Sequence, residues 1–292
     1  NFLKIMHQIK IKYYPIFLMI ASCLFFSILS GIIKFVGNSI HPFEQAFFRN
    51  FFCIFLFLPY ILFNFKKIFK TERKLFLLIR SFFGGLTMIL LFWSYTLIPL
   101  TQAITISFTT PLFIFIGSII FFKERPTNKI ILCLIFGFIL TIMIIRPDSG
   151  ISFGTFIAIL ASLSHAVAGL MVKDLTKTES ISSIMIYMIL FMTPITFIPA
   201  SFVWIIPEDK LLWILLFSLA IIGTIGNFCW TKAISISSMT NIMPFDFSKL
   251  IFATIIGLFF FNEKLDFITL FGGLGLIICN MIVAKDLNDK KK

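Results

Sequence analysis

The sequence predicts an all-α integral membrane protein with ten transmembrane helices, arranged as two inverted five-helix repeats. Three observations lead to this fold class. The chain of 292 residues is 59% hydrophobic and only 13% charged, far outside the composition of a soluble domain. Its apolar residues form ten runs long enough to cross the ~30 Å of bilayer hydrocarbon. Its basic residues fall mainly in the loops on alternate sides of those runs.

Short loops divide the ten runs. Two divisions are narrow, because only IPLTQA separates the third run from the fourth and only SISS separates the eighth from the ninth. We keep both, since a merged run would be about twice as long as one crossing. Lysines precede the first run, but it is too long for a signal peptide and lacks a clear cleavage site, so we assign it as a membrane helix. The predicted spans are 15–35, 43–63, 75–97, 101–122, 129–146, 152–172, 181–204, 211–232, 239–261 and 267–284.

The distribution of Lys and Arg predicts the orientation of the chain. With the amino terminus inside the cell, eighteen of the 25 basic residues fall in cytoplasmic segments and four on the other side. The remaining three, Arg49, Arg80 and Lys249, lie inside spans. This asymmetry favours an even number of crossings with both termini in the cytoplasm.

Two pairs of residues indicate an internal repeat. Lys34 and Lys173 each end a helix of small and apolar residues, and Glu124 and Glu263 each end a helix at FFKE or FFNE. Both pairs are separated by 139 positions. Five crossings per repeat is an odd number, so the second repeat is inverted in the membrane, an architecture of secondary transporters.

The joint between the repeats is the segment RPDSG. We expect the first repeat to cover residues 1–146 and the second to cover 150–292, including a short basic carboxy-terminal tail. The glutamates that end the fourth and ninth helices are unusual, because the helix dipole disfavours an acid at that end. A contact with the other repeat is one explanation for them.

The sequence contains no motif of an ATP-driven pump or of a hydrolytic or redox enzyme. It lacks a Walker loop, G-x-S-x-G, H-E-x-x-H and a GxGxxG motif after a strand. The five cysteines lie in apolar stretches without metal-ligand spacing. The net charge of +12 is distributed over short loops rather than gathered for nucleic acid. We therefore expect no catalytic residue, metal, cofactor or nucleic-acid partner. The expected partners are a small-molecule substrate and the lipid bilayer, and a homodimer stays open.

The most informative stretch is Met239–Phe261, an apolar span that carries both Asp246 and Lys249. A charge at bilayer depth costs at least ~2.5 to 3.5 kcal/mol and typically marks a cavity or a transport path. The two residues are three positions apart and share a helical face. Pro244, just before them, removes a backbone donor and favours a kink. The two charges either contact a substrate or form an ion pair that only joins two helices.

Other spans contribute polar and aromatic candidates. Arg80 begins a small and polar stripe on the third helix, and Arg49 lies near the start of the second. Each either snorkels to the interface or faces the substrate. His165 is predicted to pack against a neighbouring helix. The candidate substrate-binding residues are Asp246, Lys249, Arg80, Trp93, Tyr95, Trp230 and Asn227.

Together these residue types suit a zwitterionic solute with a flat ring. A carboxylate requires a cation, an ammonium or sulfonium group requires an acid or an aromatic face, and a planar base stacks on a ring. Two other interpretations are a membrane-embedded enzyme acting on a lipid head group and a helix bundle without transport. The dispersed acids argue against the first, and the charges inside a span argue against the second.

Four runs of residues resemble the two EamA repeats of the drug/metabolite transporter superfamily, and the resemblance covers nearly the whole chain. The most specific features are the proline-to-acid stretches, from Pro111 to Glu124 and from Pro244 to Glu263. The family pattern usually has Gly before the acid, where this chain has Lys123 and Asn262. The four runs are HPFEQAFFR, LIRSFFGG, ITISFTTPLFIFIGSIIFFKE and NIMPFDFSKLIFATIIGLFFFNE.

The resemblance implies ten transmembrane helices in two inverted units, a central cavity, alternating access and no ATP hydrolysis. It also implies that the chain is not an enzyme, and that it crosses the inner membrane of a bacterium several times. The implied function is secondary transport of a small metabolite. Export or import of amino acids or of another metabolite both remain open.

Overall fold

The chain is helical almost throughout the part that the computed structural model describes, residues 2–37, 39–98, 106–145, 152–261 and 267–289. Every predicted span coincides with a helix, although the fourth helix begins at Thr109 and residues 101–105 lie outside the described ranges. The narrow division between the eighth and ninth spans is confirmed as a break between helices. The helices are α1 (Phe2–Val36), α2 (Pro42–Phe69), α3 (Lys74–Leu97), α4 (Thr109–Phe122), α5 (Asn128–Ile145), α6 (Phe153–Leu175), α7 (Ile181–Ser201), α8 (Lys210–Ile236), α9 (Met239–Ile242), α10 (Ser248–Phe261) and α11 (Phe267–Asp289).

Seven segments within the described residues are long and apolar enough to cross a membrane. They are Tyr13–Val36, Pro42–Lys66, Lys74–Ser94, Phe153–Leu175, Ile181–Ser201, Lys210–Ile236 and Met239–Phe260. Two shorter apolar helices cover Thr109–Phe122 and Asn128–Leu140. The architecture is therefore that of an all-α integral membrane protein, while the count of ten crossings stays a prediction.

The ninth span is broken in the middle of its first half, as Pro244 predicts. Between α9 and α10 the chain forms a 3₁₀ turn over Met243–Phe247, with Pro244 in its first positions. Proline fits the start of a helix because it lacks the amide hydrogen that has no partner there. All five residues of this turn are buried. The change of helix type places Asp246 at the end of the 3₁₀ turn, just before α10 begins.

The helices form two groups that each combine elements from both halves of the chain. In the first body, α1 packs against α8 and α10. In the second body, α6 packs against α3 and α4. A shift of 139 residues relates α1 to α6 and α3 to α8, so the two bodies repeat the same packing. The pairs α2 with α7 and α5 with α11 complete the bundle.

Glu124 connects the two halves of the chain. Its Oε1 accepts a hydrogen bond from the Met239 amide at 3.1 Å, and its Oε2 accepts one from the Thr240 amide at 2.9 Å. These amides belong to the first turn of α9, where no intrahelical acceptor exists. The local N-cap residue, Ser238, makes no side-chain cap. The acid that ends α4 therefore caps a helix of the other half, whereas Glu263 lies outside the described residues.

Lys173 provides the complementary contact at the end of α8. Its ammonium group donates to the Ile234 carbonyl oxygen at 2.8 Å and to the Ser237 carbonyl oxygen. The last carbonyls of a helix have no intrahelical donor, and a cation is favoured there by the dipole. Lys173 and Glu124 thus hold the α8–α9 junction from both sides.

Lys123 terminates α4 with a left-handed backbone, at φ = 53°. This conformation costs a residue with a Cβ about 1–2 kcal/mol, and glycine avoids most of that cost. This left-handed conformation explains why the family pattern usually has glycine at this position. The turn also directs Glu124 towards α9.

Replacing Glu124 with Ala is expected to lower the stability of the purified protein by about 1–2 kcal/mol. The reason is that two amides in the first turn of α9 lose their acceptor. Glu124→Gln retains one acceptor oxygen and is expected to lie between Ala and the parent. Thermal unfolding in detergent measures the change, with Glu208→Ala at an exposed loop position as the control. An unchanged midpoint for Glu124→Ala would contradict the capping role.

Replacing Lys123 with Gly is expected to raise the unfolding midpoint, with a stabilisation of roughly 0.5–1 kcal/mol. Glycine adopts φ = 53° without the steric cost that lysine bears. Lys123→Ala removes the same charge but retains the Cβ, so it separates the backbone effect from the loss of charge. Equal midpoints for the Gly and Ala variants would show that the backbone carries no strain here.

Candidate functional site

A cavity of about 200 Å³ lies between the two bodies. One wall comes from α1, α8 and the broken ninth span, and the facing wall comes from α3, α6 and the start of α4. Helix α2 contributes Arg49, and α7 contributes two methionines. Most of the lining is apolar or small, so the four charged side chains among the described lining residues decide its chemistry. They are Arg49, Arg80, Asp246 and Lys249.

Asp246 and Lys249 form an ion pair on the first wall. The Lys249 Nζ atom lies 2.9 Å from Asp246 Oδ1 and 3.1 Å from Oδ2. The side chain of Asp246 is 10% exposed, whereas that of Lys249 is 26% exposed and lines the cavity. The two charges pair within one segment and both line the cavity, so this ion pair does not join two helices, and contact with a substrate stays a prediction.

Helix α1 holds the segment that carries this pair. The Ser27 hydroxyl donates to the Lys249 carbonyl oxygen at 2.9 Å. The Cys23 thiol lies 3.6 Å from the Phe245 carbonyl oxygen and 3.8 Å from Asp246 Oδ1. The Phe26 ring centroid is 5.5 Å from Lys249 Nζ, within the range of a cation–π contact. The 3₁₀ turn frees backbone oxygens, and α1 supplies donors for them.

Two arginines reach the opposite part of the cavity. Arg80 of α3 is 6% exposed and Arg49 of α2 is 8% exposed, so neither snorkels to an interface. The Arg80 Nε and Nη1 atoms and the Arg49 Nε atom are buried without a hydrogen-bond partner among the described residues. Arg49 Nη1 lies 2.9 Å from the sulfur of Met88, and a thioether is a weak acceptor.

An aromatic pair occupies the wall between these charges. Trp230 of α8 and His165 of α6 both line the cavity, with ring centroids 5.9 Å apart at an interplanar angle of 31°. Gly169 allows this close approach, because a Cβ there would lie 3.0 Å from the indole ring. Asn227, one turn before Trp230, donates its Nδ2 hydrogen to the Gly223 carbonyl oxygen at 3.0 Å. Its amide oxygen and its second Nδ2 hydrogen are groups that it can offer to a ligand.

The model of the EamA-like transporter family matches residues 14–146 and 152–284. The chain belongs to this family. The match occurs twice, so the chain contains two EamA domains, and the resemblance drawn from the sequence motifs is confirmed.

Relatives with named functions are transporters. An S-adenosylmethionine uptake transporter of Rickettsia conorii is 30% identical over 258 residues, which cover 86% of each chain. A riboflavin transporter of Vibrio cholerae is 26% identical over 62% of this chain and 61% of its own. A pseudopaline exporter of Pseudomonas aeruginosa is 23% identical over 89% of this chain and 92% of its own. The family thus includes import and export of different metabolites, and none of these names describes an enzyme.

A solved crystal structure has the same fold. It superposes with a TM-score of 0.80 over 95% of this chain and 99% of that chain, at 11% sequence identity. At this identity the likeness concerns the fold alone. It places the helix arrangement of this EamA chain among known structures.

The cavity brings together five of the seven candidate residues. Asp246, Lys249, Arg80, Trp230 and Asn227 all line it. Trp93 is not among the described lining residues. Its ring instead packs at 5.9 Å from Phe153 and 6.5 Å from Phe43. It faces the junction of α2, α3 and α6, so we leave it out of the proposed site. The side chain of Tyr95 lies outside the described residues.

Two lining residues, Arg49 and His165, lie outside the candidate set, although the sequence leaves Arg49 between an interface and a substrate-facing position. Arg49 is the eighth residue of α2, so it lies about 10 Å from the start of the helix. That depth is the signal that separates it from an arginine at an interface. The sequence predicts that His165 packs against a neighbouring helix, and it packs on Trp230 of α8 from within the cavity wall.

Asp246→Asn is expected to lower the stability of the empty protein by about 1–3 kcal/mol. It leaves the Lys249 ammonium group without its counter-charge. The loss stays below the ~3–5 kcal/mol of a fully buried pair, because Lys249 is partly open to the cavity. Combining Asp246→Asn with Lys249→Met is expected to recover most of the midpoint measured by thermal unfolding. A double variant no more stable than the single one would show that the two charges are not coupled.

Proposed function

We propose that this EamA chain imports S-adenosylmethionine as a secondary transporter of a bacterial inner membrane. In this proposal the chain crosses the membrane ten times, as two inverted repeats with both termini in the cytoplasm. The main observation in support of the proposal is that one cavity between the two bodies presents an acid, several cations and an indole ring. The choice of substrate is supported by the relatives from Rickettsia, which are similar over 86% of the chain.

The cavity suits the functional groups of S-adenosylmethionine. The sulfonium and ammonium groups are cations, so we place them near Asp246 and the ring of Phe26. The carboxylate requires a cation, either Lys249 or Arg80. The adenine is a flat ring that can stack on Trp230. All these groups line the same cavity, so one molecule can contact them together.

The cavity volume suggests that the conformation described is not the fully open one. About 200 Å³ is below the ~300–1,000 Å³ typical of small-ligand pockets. The loops on the proposed cytoplasmic side are also joined by polar contacts between the two halves. Arg73 pairs with Asp174, and the Thr71 hydroxyl donates to Glu179 Oε1 at 2.6 Å. We infer that these contacts open when the substrate is released inwards.

A second function within the same family has its own support. The described lining residues carry three cations and one acid, an excess of positive charge that suits any carboxylate-bearing metabolite. Relatives also include transporters of riboflavin and of pseudopaline. The alternative is therefore export or import of an amino acid or another acidic metabolite.

Cells that express the chain are expected to take up labelled S-adenosylmethionine in a saturable way, above an empty-vector control. Unlabelled S-adenosylhomocysteine is expected to compete, and to drive release of preloaded label if the chain works by exchange. Saturable uptake of S-adenosylmethionine without any release of preloaded label by S-adenosylhomocysteine would indicate import without exchange. Absence of uptake, with the protein shown to be in the membrane, would favour the acidic-metabolite alternative.

Asp246→Asn is expected to reduce this uptake at least about tenfold, because the substrate's cationic end loses a charged partner worth ~1.5–3 kcal/mol. The matched control is Asp209→Asn, which changes the same groups at an exposed N-cap where Asn is equally favourable. The amount of each variant in the membrane is measured alongside uptake. Full activity of Asp246→Asn would remove Asp246 from the proposed site.

A further inference from the structure

Two guanidinium groups lie against the same stripe of α3. Arg80, Gly84 and Met88 are spaced four residues apart, so they share one face of the helix. The Arg80 Nη1 atom is 3.5 Å from where a Cβ of Gly84 would stand, and Arg49 Nη1 contacts the Met88 sulfur. Gly84 and Met88 are about 6 Å apart along the helix axis. The two positive groups therefore flank a single patch of the cavity wall.

This patch lacks the acid that two buried cations require. The Arg80 Nε, Arg80 Nη1 and Arg49 Nε atoms have no hydrogen-bond partner in the described part of the chain. Asp246 already pairs with Lys249. Glu44, the buried acid of α2, accepts from the Ile205 amide through Oε1, and no ion pair between Glu44 and either arginine is found among the described residues. Buried charged groups are ordinarily paired, and an unpaired one is a candidate for ligand contact.

Gly223 of α8 makes room for one of these groups. A Cβ at this position would lie 2.5 Å from Arg49 Nε, 3.0 Å from Nη2 and 3.1 Å from Cζ. No real side chain tolerates such contacts, so only glycine permits the guanidinium to lie where it does. The Arg49 guanidinium thus packs closely against α8 and contacts the Met88 sulfur through Nη1, while its Nε atom has no acceptor among the described residues.

We propose that Arg49 and Arg80 together bind the carboxylate of the transported substrate. This inference rests on the proposed function, because it takes the ligand to be a transported metabolite. It assigns the substrate carboxylate to the two arginines rather than to Lys249. A carboxylate has two oxygens with about four acceptor positions, which match donors arriving from two directions. It also offsets one of the two excess positive charges in the cavity. The substrate class is therefore a metabolite with a carboxylate at one end and a cationic group at the other, the latter near Asp246.

The direct test compares ligands with and without the carboxylate. Binding of labelled S-adenosylmethionine to the purified full chain is competed with S-adenosylmethionine or with its decarboxylated form. The parent is expected to prefer the carboxylate-bearing competitor by about 10- to 100-fold, as charge-assisted hydrogen bonds imply. Arg49→Gln and Arg80→Gln are each expected to lose most of that preference. Arg125→Gln, at an exposed loop position, is expected to retain it. An Arg49→Gln variant with the parent's preference would overturn the assignment of Arg49.

A second readout needs no adenosyl ligand and separates this inference from the choice of substrate. The probe is formate, a carboxylate small enough for the cavity, with formamide as its neutral counterpart and chloride as the salt control. Formate is expected to raise the thermal midpoint of the parent more than formamide or chloride does, and not to do so in the Arg49→Gln, Arg80→Gln double variant. Gly223→Ala, which retains both arginines but shifts the Arg49 guanidinium, is expected to weaken the effect of formate less than the double variant does, because Arg80 is unchanged.

The outcomes of the two readouts are distinct. A parent that binds neither adenosyl ligand but is stabilised by formate through the two arginines would exclude S-adenosylmethionine and retain the carboxylate site. A parent on which formate and formamide act equally would overturn the carboxylate site, whatever the adenosyl ligands do. The empty double variant provides a further check. It is expected to unfold at a higher temperature than the parent, because two unpaired buried charges are removed, and a lower midpoint would show that the arginines are structural.

Discussion

The Asp246–Lys249 ion pair is the interaction on which the arrangement of the cavity depends. It joins residues of one short segment, so the one acid among the described lining residues is matched locally. Asp246 lies in the 3₁₀ turn and Lys249 in the first turn of α10, and residues three apart are neighbours on the surface of either type of helix. Pro244 begins this break, so it lies at the point where the ninth span brings the pair to the cavity wall.

Because Asp246 pairs with Lys249 of its own segment, it does not neutralise the positive charge of the arginines across the cavity. The first wall is close to neutral, and the opposite part carries two positive charges, three of whose donor nitrogens have no acceptor among the described residues. Burying such groups destabilises the empty protein, and functional sites are where proteins commonly retain such a cost. Packing elsewhere offsets it, including the mutual caps that Glu124 and Lys173 form around the α8–α9 junction.

The sequence predicts the helices better than it predicts which way they face. Runs of about twenty apolar residues locate the spans because the bilayer sets their length, and Pro244 marks the break in the ninth. Rotation about each helix axis is harder, since faces that contact lipid and faces that contact other helices are both apolar. The sequence assigns Trp93 to the cavity on that weak signal, whereas the structure places it against Phe153. For the same reason the sequence leaves Arg49 between an interface and a substrate-facing position. The partner of Glu124 lies 115 residues away, which no local pattern reveals.

The charges on the cavity walls belong to two different bodies, so a bound ligand can connect those bodies. Asp246 and Lys249 belong to the first body, since their segment is held by α1, whereas Arg80 belongs to α3 of the second. A ligand bound at both of its charged ends would bridge the two bodies and draw them together. A fragment with only one of the two charged ends would occupy the cavity without bridging the bodies. Truncated substrates would therefore act as blockers of the carrier rather than as slower cargo.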